Sequence, residues 1–184
     1  MIDDHALVRE GLHQVLKGLD ENVSVLQAGT CEQAFALAES HVDIDLVLLD
    51  YHLPDMTGLQ ALDVFGRNHP ELPIVMLSGS ANVQIMRQVL QSGASGFVTK
   101  SSLSDELLHA VRLVLNGDVY SPSELGSDFG ALSFDGANAK PPLTQRQELV
   151  LRELLDGRSN REIGSSLNVS EETVKTHVAS ILRY

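Results

Sequence analysis

Leu46-Val47-Leu48-Leu49 is an unbroken apolar run that stops abruptly at a carboxylate, Asp50, and few folds accommodate that pattern. A run this short, bounded by polar and turn residues, fits a strand buried on both faces of a parallel sheet. The Asp at its C-terminal end then stands where open α/β sheets place their ligands, outside the carboxyl edge of the strands. Pro54 and Gly58 restrict and then relax the backbone, which suits a shaped loop leading into a helix. A lone strand-end Asp is also an ordinary turn carboxylate, so the rest of the chain has to decide between the two readings.

The flanking sequence alternates between two periodicities. Val8, Leu12, Val15, Leu16 and Leu19 predict one helix over His5–Leu19, and Thr30 is placed to cap a second over Cys31–His41. A third helix is expected over Gly58–Asn68, a fourth over Asn82–Gln91, and a fifth from Ser102 or Ser104 to Asn116-Gly117. Between them, strands are expected at Val23–Ala28, 46–50, Ile74–Leu77 and Gly96–Thr99. Such β/α alternation over ~100–120 residues implies a doubly wound parallel sheet, five-stranded in its natural form, between layers of helices.

Residues 117–142 break this pattern with interspersed Gly, Ser, Asp and Pro and are expected to form a linker, although 119–120 could still pack on a domain. Three short helices follow. Thr144-Gln145-Arg146-Gln147 and Ser159-Asn160-Arg161-Glu162 both fit a capping box, and Ser170 precedes Glu171-Glu172 as a further N-cap. The helices at 160–167 and 171–183, joined through Asn168-Val169-Ser170, have the spacing of a helix-turn-helix.

Charge separates the two parts. The net charge of −12 divides into −9 over residues 1–116, −3 over 117–142 and zero over 143–184. An acidic chain is repelled by nucleic acid, so only the last segment could approach DNA. No apolar run is long enough to span a membrane, the start lacks a secretory signal, and one cysteine, Cys31, fits a reducing compartment. A soluble, cytoplasmic protein is expected.

Four polar positions fall at C-terminal strand ends: Asp3-Asp4, Asp50, Ser78 and Lys100. In a parallel sheet these ends share one edge. Three carboxylates in one cleft repel each other unless a cation joins them, and a hard divalent ion such as Mg2+ is held by carboxylates, waters and phosphate oxygens. Lys100 offers a point charge and Ser78 a hydroxyl for phosphoryl oxygens, which leaves Asp50 as a nucleophile able to form an aspartyl phosphate. Each residue alone has a plain explanation as cap, turn or surface charge. Their joint placement does not.

These residues, with Pro54, Gly58, Ser78-Gly79 and Gly96-Phe97-Val98-Thr99-Lys100, make residues 1–116 resemble the receiver domain of two-component response regulators. Residues 143–184 resemble the LuxR-type helix-turn-helix through Leu143–Glu148, Ser159–Ile163 and Thr173-Val174-Lys175-Thr176-His177-Val178. Together they resemble the NarL/FixJ class. That resemblance implies a flavodoxin-like receiver with strand order 2-1-3-4-5 and a small all-α DNA-binding domain. It implies that Asp50 accepts a phosphoryl group from a sensor histidine kinase. Mg2+ would be held by Asp4, Asp50 and the His52 backbone carbonyl, with Asp3 acting through water. Ser78 and Lys100 would hold phosphoryl oxygens, and Phe97 would be an aromatic switch, against its other reading as a plain core aromatic. Lys175 and Thr176 would face base edges in the major groove. Arg161, Ser170, Thr173 and His177 are candidates for phosphate contacts, His177 equally for a packed or capping residue. A homodimer is expected on phosphorylation.

The chain departs from the family at both ends. Only Met1-Ile2 precede Asp3 where a receiver has a full first strand, so that strand is expected to be largely missing. The chain stops at Tyr184, before the family's fourth helix, so the DNA-binding domain is expected to be incomplete. Two other readings remain open: a phosphorylation-independent transcriptional regulator, and a haloacid-dehalogenase-like phosphatase. The latter needs an acid two residues after its nucleophile, where His52 stands.

Overall fold

The structure, a computed structural model, describes residues 1–19, 23–41, 43–69, 72–102, 105–122, 145–167, 169 and 171–181. The expectations for 123–144, Ser104, Asn168, Ser170 and the chain past Ile181 lie outside the described residues.

The chain runs α1 (Ala6–Leu16), α2 (Cys31–Ser40), β1 (Val47–Asp50), α3 (Gly58–Asn68), β2 (Ile74–Ser78), α4 (Val83–Gln91), β3 (Gly96–Thr99) and α5 (Asp105–Leu115), then α6 (Gln145–Leu155), α7 (Asn160–Leu167) and α8 (Glu171–Ile181). The strands pair in parallel in the order β1-β2-β3, with Val47 opposite Ile74 and Val75 opposite Gly96. All three are buried along their length, as apolar runs in a sheet covered on both faces must be.

Side chains alternate between the two faces with the period of a strand. Val47, Leu49, Ile74, Met76 and Phe97 pack with α2, α3 and α4 on one face. Leu48, Val75, Leu77 and Val98 pack with α1 and α5 on the other. Helices on both faces make the sheet doubly wound.

The expected strand over Val23–Ala28 does not form. Within it only Ala28 is bridged, to Ile2, and Ile2 in turn bridges Leu49 of β1. Ile2 donates to the Leu48 carbonyl and Asp50 to that of Ile2, while Asp3 donates to Ala28 and Ala28 to Met1. The ladder order is therefore Ala28, Ile2, β1, β2, β3, and the first strand is reduced to a single bridging residue. Beyond Met1 the walls separate around a cavity of about 530 Å3, lined in part by Val23–Leu26 and Ile44–Leu48. Among the described residues Val23–Gln27 meets no β-bridge partner across this cavity, which is why it stays irregular. The Met1 ammonium sits at its end and donates to the Leu26 carbonyl at 2.8 Å.

The far edge of the sheet is completed from the segment after α5. Tyr120 bridges Gly96 in parallel, accepts from Phe97 through its carbonyl, and donates its hydroxyl to Glu106 Oε1 at 2.7 Å. Residues 119–120 thus pack on the sheet, the option that the sequence left open.

The three C-terminal helices close on Val150, Ile163 and Val174, with Leu154, Leu167, Val178 and Ile181 around them. Ser159 and Glu162 form the expected capping box: the Ser159 N–H donates to Glu162 Oε2 and the Glu162 N–H to Ser159 Oγ. Among the described residues, the two parts meet near Gly117. Gln147 Nε2, buried in α6, donates to the carbonyl of Gly117, just past α5, at 2.5 Å.

Candidate functional site: an acidic pocket and a helical pair

Chain geometry carries four polar side chains to one edge of the sheet. Asp50 ends β1, Ser78 ends β2, Lys100 follows β3, and Asp3 follows the bridging Ile2. Lys100 Nζ lies 2.8 Å from Asp50 Oδ2 and 2.6 Å from Asp3 Oδ2. Asp3, Asp50 and Ser78 are all buried, and Asp4 stands at the rim. The structure therefore brings together the predicted Asp3, Asp4, Asp50 and Lys100, with Ser78 at the adjacent strand end.

Burial pushes the Asp50 carboxyl above its usual range, and the Asp3 charge adds to this, against the hydrogen bond and attraction from Lys100 and an N–H bond from His52. Burial pulls Lys100 downward, but its hydrogen bonds to Asp3 and Asp50 outweigh that and raise it overall. One ammonium thus serves two buried carboxylates, with a third beside them. The pocket keeps excess negative charge in a poorly solvated place, an arrangement that favours a cation. Among the described residues, Ser78 Oγ accepts a long 3.2 Å bond from the Ser80 N–H.

The loop after Asp50 is shaped by close approach. A Cβ on Gly58 would fall 2.7 Å from Tyr51 Cα and 2.8 Å from the Asp50 carbonyl oxygen, so only glycine lets α3 start against the strand end. Thr57 caps α3 in a full capping box with Gln60, and Asp55 Oδ2 accepts from the Glu32 N–H at the start of α2. Phe97 is fully buried among Met86, Val89, Leu90 and Ala94.

Two neighbours of the site were not singled out in the sequence. His5 places Nδ1 2.7 Å from Asp4 Oδ1 and 3.3 Å from Asp3 Oδ1. Arg9 donates to the Asp3 backbone carbonyl at 2.6 Å. Both follow the acidic pair on α1 or at its cap, a signal of proximity that the strand-end argument did not use.

At the helical end, Arg161 and Lys175 are exposed, Lys175 pairing with Glu171 at 3.3 Å. His177 is buried, and a Cβ on Gly117 would fall 2.8 Å from its Nδ1. The side chains of Thr173 and Thr176, and all of Ser170, lie outside the described residues. Among the described residues, no helix is long and apolar enough to cross a membrane.

Residues 1–112 match the family model of the response regulator receiver domain, and residues 141–183 that of bacterial regulatory proteins of the luxR family. The chain is 35% identical over 189 residues to the glycerol metabolism activator of Pseudomonas putida, covering 98% of this chain and 86% of that protein. To the nitrate/nitrite response regulator protein NarP of Escherichia coli it is 34% identical over 185 residues, covering 100% of this chain and 86% of the relative. Among solved structures, a LuxR family DNA-binding response regulator from Silicibacter pomeroyi superposes with TM-score 0.59 at 32% identity, over 67% of this chain and 94% of that one. RcsB of Salmonella typhimurium shares the fold at TM-score 0.64 and 22% identity, over 97% of this chain and 87% of its own.

Proposed function

Because the chain belongs to the two-component response regulators that join a receiver domain to a luxR-family DNA-binding domain, we propose that Asp50 is the phospho-acceptor through which phosphorylation controls its transcriptional role. The observation that carries this is the placement of Asp50 at a strand end, buried, and 2.8 Å from Lys100. We read residues 1–116 as the receiver, 117–142 as the linker and 143–184 as the DNA-binding domain. The donor is a sensor histidine kinase, and the compartment is the cytoplasm.

In this reading an Asp50 carboxylate oxygen forms a bond to phosphorus as the phosphorus–nitrogen bond to the kinase histidine breaks, the electron pair leaving with the imidazole nitrogen. Lys100, already poised between two carboxylates, turns to a phosphoryl oxygen, and Ser78 donates its hydroxyl to another. The all-oxygen donors and the excess negative charge fit Mg2+, which Asp4, Asp50 and the His52 carbonyl would hold directly and Asp3 through water. When bound, the ion neutralises charge that builds on the phosphoryl oxygens. The chain thus assists its own phosphorylation and dephosphorylation without turning over a separate substrate.

Phosphorylation adds charge and acceptors at the sheet edge and reorganises the adjoining loops. Phe97, on β3 two positions before Thr99, is the aromatic that would repack as Ser78 moves. At the other end, α8 would enter the major groove of double-stranded DNA, with Lys175 and Thr176 at base edges and Arg161, Ser170 and Thr173 near phosphates. His177, buried against the Gly117 turn, would reach DNA only after the two parts separate. Phosphorylation would favour that separation and a homodimer.

Incubating the chain with acetyl phosphate and Mg2+ and measuring its intact mass tests the assignment. One acid-labile phosphoryl adduct is expected on the wild type and none on Asp50→Asn. An adduct that persists on Asp50→Asn would place the phospho-acceptor elsewhere.

A further inference from the structure

The loop after Asp50 is tied to a distant part of the chain. At its base His52 and Thr57 form an antiparallel bridge, and the Gly58 N–H donates to the Tyr51 carbonyl at 2.8 Å. Asp55 lies between them, exposed, and its Oδ2 accepts from the Glu32 N–H at 3.1 Å. The leading N–H groups of a helix have no partner within it. At the start of α2 that need is met from two sources: Thr30 Oγ1 accepts from the Gln33 N–H, and Asp55 reaches in from the other loop. Slight burial lifts the Asp55 carboxyl, but bonds from the N–H groups of Cys31, Glu32, Asp55 itself and Met56 outweigh it and hold the group below its usual range. Cys31, the first residue of α2, is fully buried in the core, so the tie has a firm anchor.

The two segments that Asp55 joins are those that carry the acidic pocket. On one side, Ala28 bridges Ile2 and accepts from the Asp3 N–H at 3.1 Å, and Gly29-Thr30 lead from it straight into α2. The first strand is a single bridging residue, so Asp3 and Asp4 lean on this segment. On the other side, the tied loop begins at Asp50, whose carboxylate accepts from the His52 N–H. An ion shared by Asp4, Asp50 and the His52 carbonyl draws oxygens from both sides. Mg2+ demands near-ideal octahedral geometry, and side chains that orient its ligands set affinity without touching the ion.

We propose that Asp55 is a positioning residue for the ion: by holding the loop of Asp50 and His52 against the start of α2, it fixes their spacing from Asp4. This rests on the reading of Asp4, Asp50 and His52 as the Mg2+ ligands and adds to it the residue that sets their separation. Asp55 touches neither the ion nor the phosphoryl group.

The test titrates the full chain with Mg2+ in a calorimeter and measures the rate of phosphorylation by acetyl phosphate against Mg2+ concentration. It compares the wild type with Asp55→Ala, Asp55→Asn and Thr30→Ala. Asn caps a helix about as well as Asp but carries no charge, and Thr30→Ala weakens the start of α2 without touching the tie. Asp55→Ala is expected to lose about tenfold in Mg2+ affinity and to need about tenfold more Mg2+ for half its maximal rate, with the saturated rate within about twofold. Asp55→Asn and Thr30→Ala are expected to keep Mg2+ affinity within about threefold. A loss in Thr30→Ala as large as in Asp55→Ala would reduce Asp55 to a helix cap, and an equal loss in Asp55→Asn would reduce it to a remote charge; either overturns the proposal. So would an unchanged affinity in Asp55→Ala, or a fall confined to its saturated rate. A wild type that binds no Mg2+ would overturn the pocket reading itself, and the role of Asp55 with it.

Discussion

Residues 1–122 bury apolar side chains on both faces of a sheet, whereas 145–181 close, among the described residues, on three fully buried apolar side chains, Val150, Ile163 and Val174. The difference is one of redundancy. In the sheet-built part each strand residue is backed by several others on its own face, so the site at the strand ends rests on a support larger than itself. In the helical part each core residue is a whole layer. Small domains bury a smaller share of their surface and are correspondingly marginal, so the DNA-binding part should be the one that local damage removes.

The largest expected effect comes from striking that small core. Ile163→Ala removes a fully buried side chain that α6, α7 and α8 share, and such truncations cost about 2–5 kcal/mol. In so small a unit this should melt the helices and abolish DNA binding, while the Asp50 adduct from acetyl phosphate still forms. Leu49→Ala, in the middle of β1, is the counterpart in the large core. Thermal unfolding followed by circular dichroism, together with intact mass, checks both variants. If Ile163→Ala also abolished the adduct, the two parts would be one cooperative unit and the contrast would fail.

The same contrast explains how much was legible in the sequence. Asp50, Ser78 and Lys100 could be placed because a strand end fixes where a side chain goes, and parallel strands put their ends on one edge. The limits of α3 and β3 were read off directly, since Thr57-Gly58 and Gly96 mark them chemically. Val23–Ala28 was misjudged because β-branched residues signal a strand, while pairing depends on a neighbour that no local pattern reveals. His5 and Arg9 were missed because their contact with Asp3 runs through the start of α1, off the strand-end logic. Along α8, helical spacing sorted Val174 and Val178 to the core but left His177 undecided. Gly117, 60 residues away in sequence, lies against His177, and a helix face carries no record of what packs on it.

The smallest expected effect falls on the contact between the two parts. Gln147 Nε2 donates to the Gly117 carbonyl in a buried setting, and Gly117 has φ +85 with no room for a Cβ beside His177. Gln147→Leu keeps the volume and removes the donor, leaving a buried carbonyl without that bond at a cost of about 1–3 kcal/mol. If the bond only supports the helical core, the change should lower the helical melting temperature and leave the overall dimensions alone. If it joins the parts, small-angle scattering of the unphosphorylated variant should show a more extended molecule at an unchanged helical melting temperature. Gly117→Ala adds a strained left-handed backbone and a clash with His177 to the same contact, so it should extend the molecule at least as much. We expect the extended profile in both, because the donor sits on one part and the acceptor on the other. A compact profile in both variants would show that the two parts are held together elsewhere, and that the exposure of His177 does not depend on this bond.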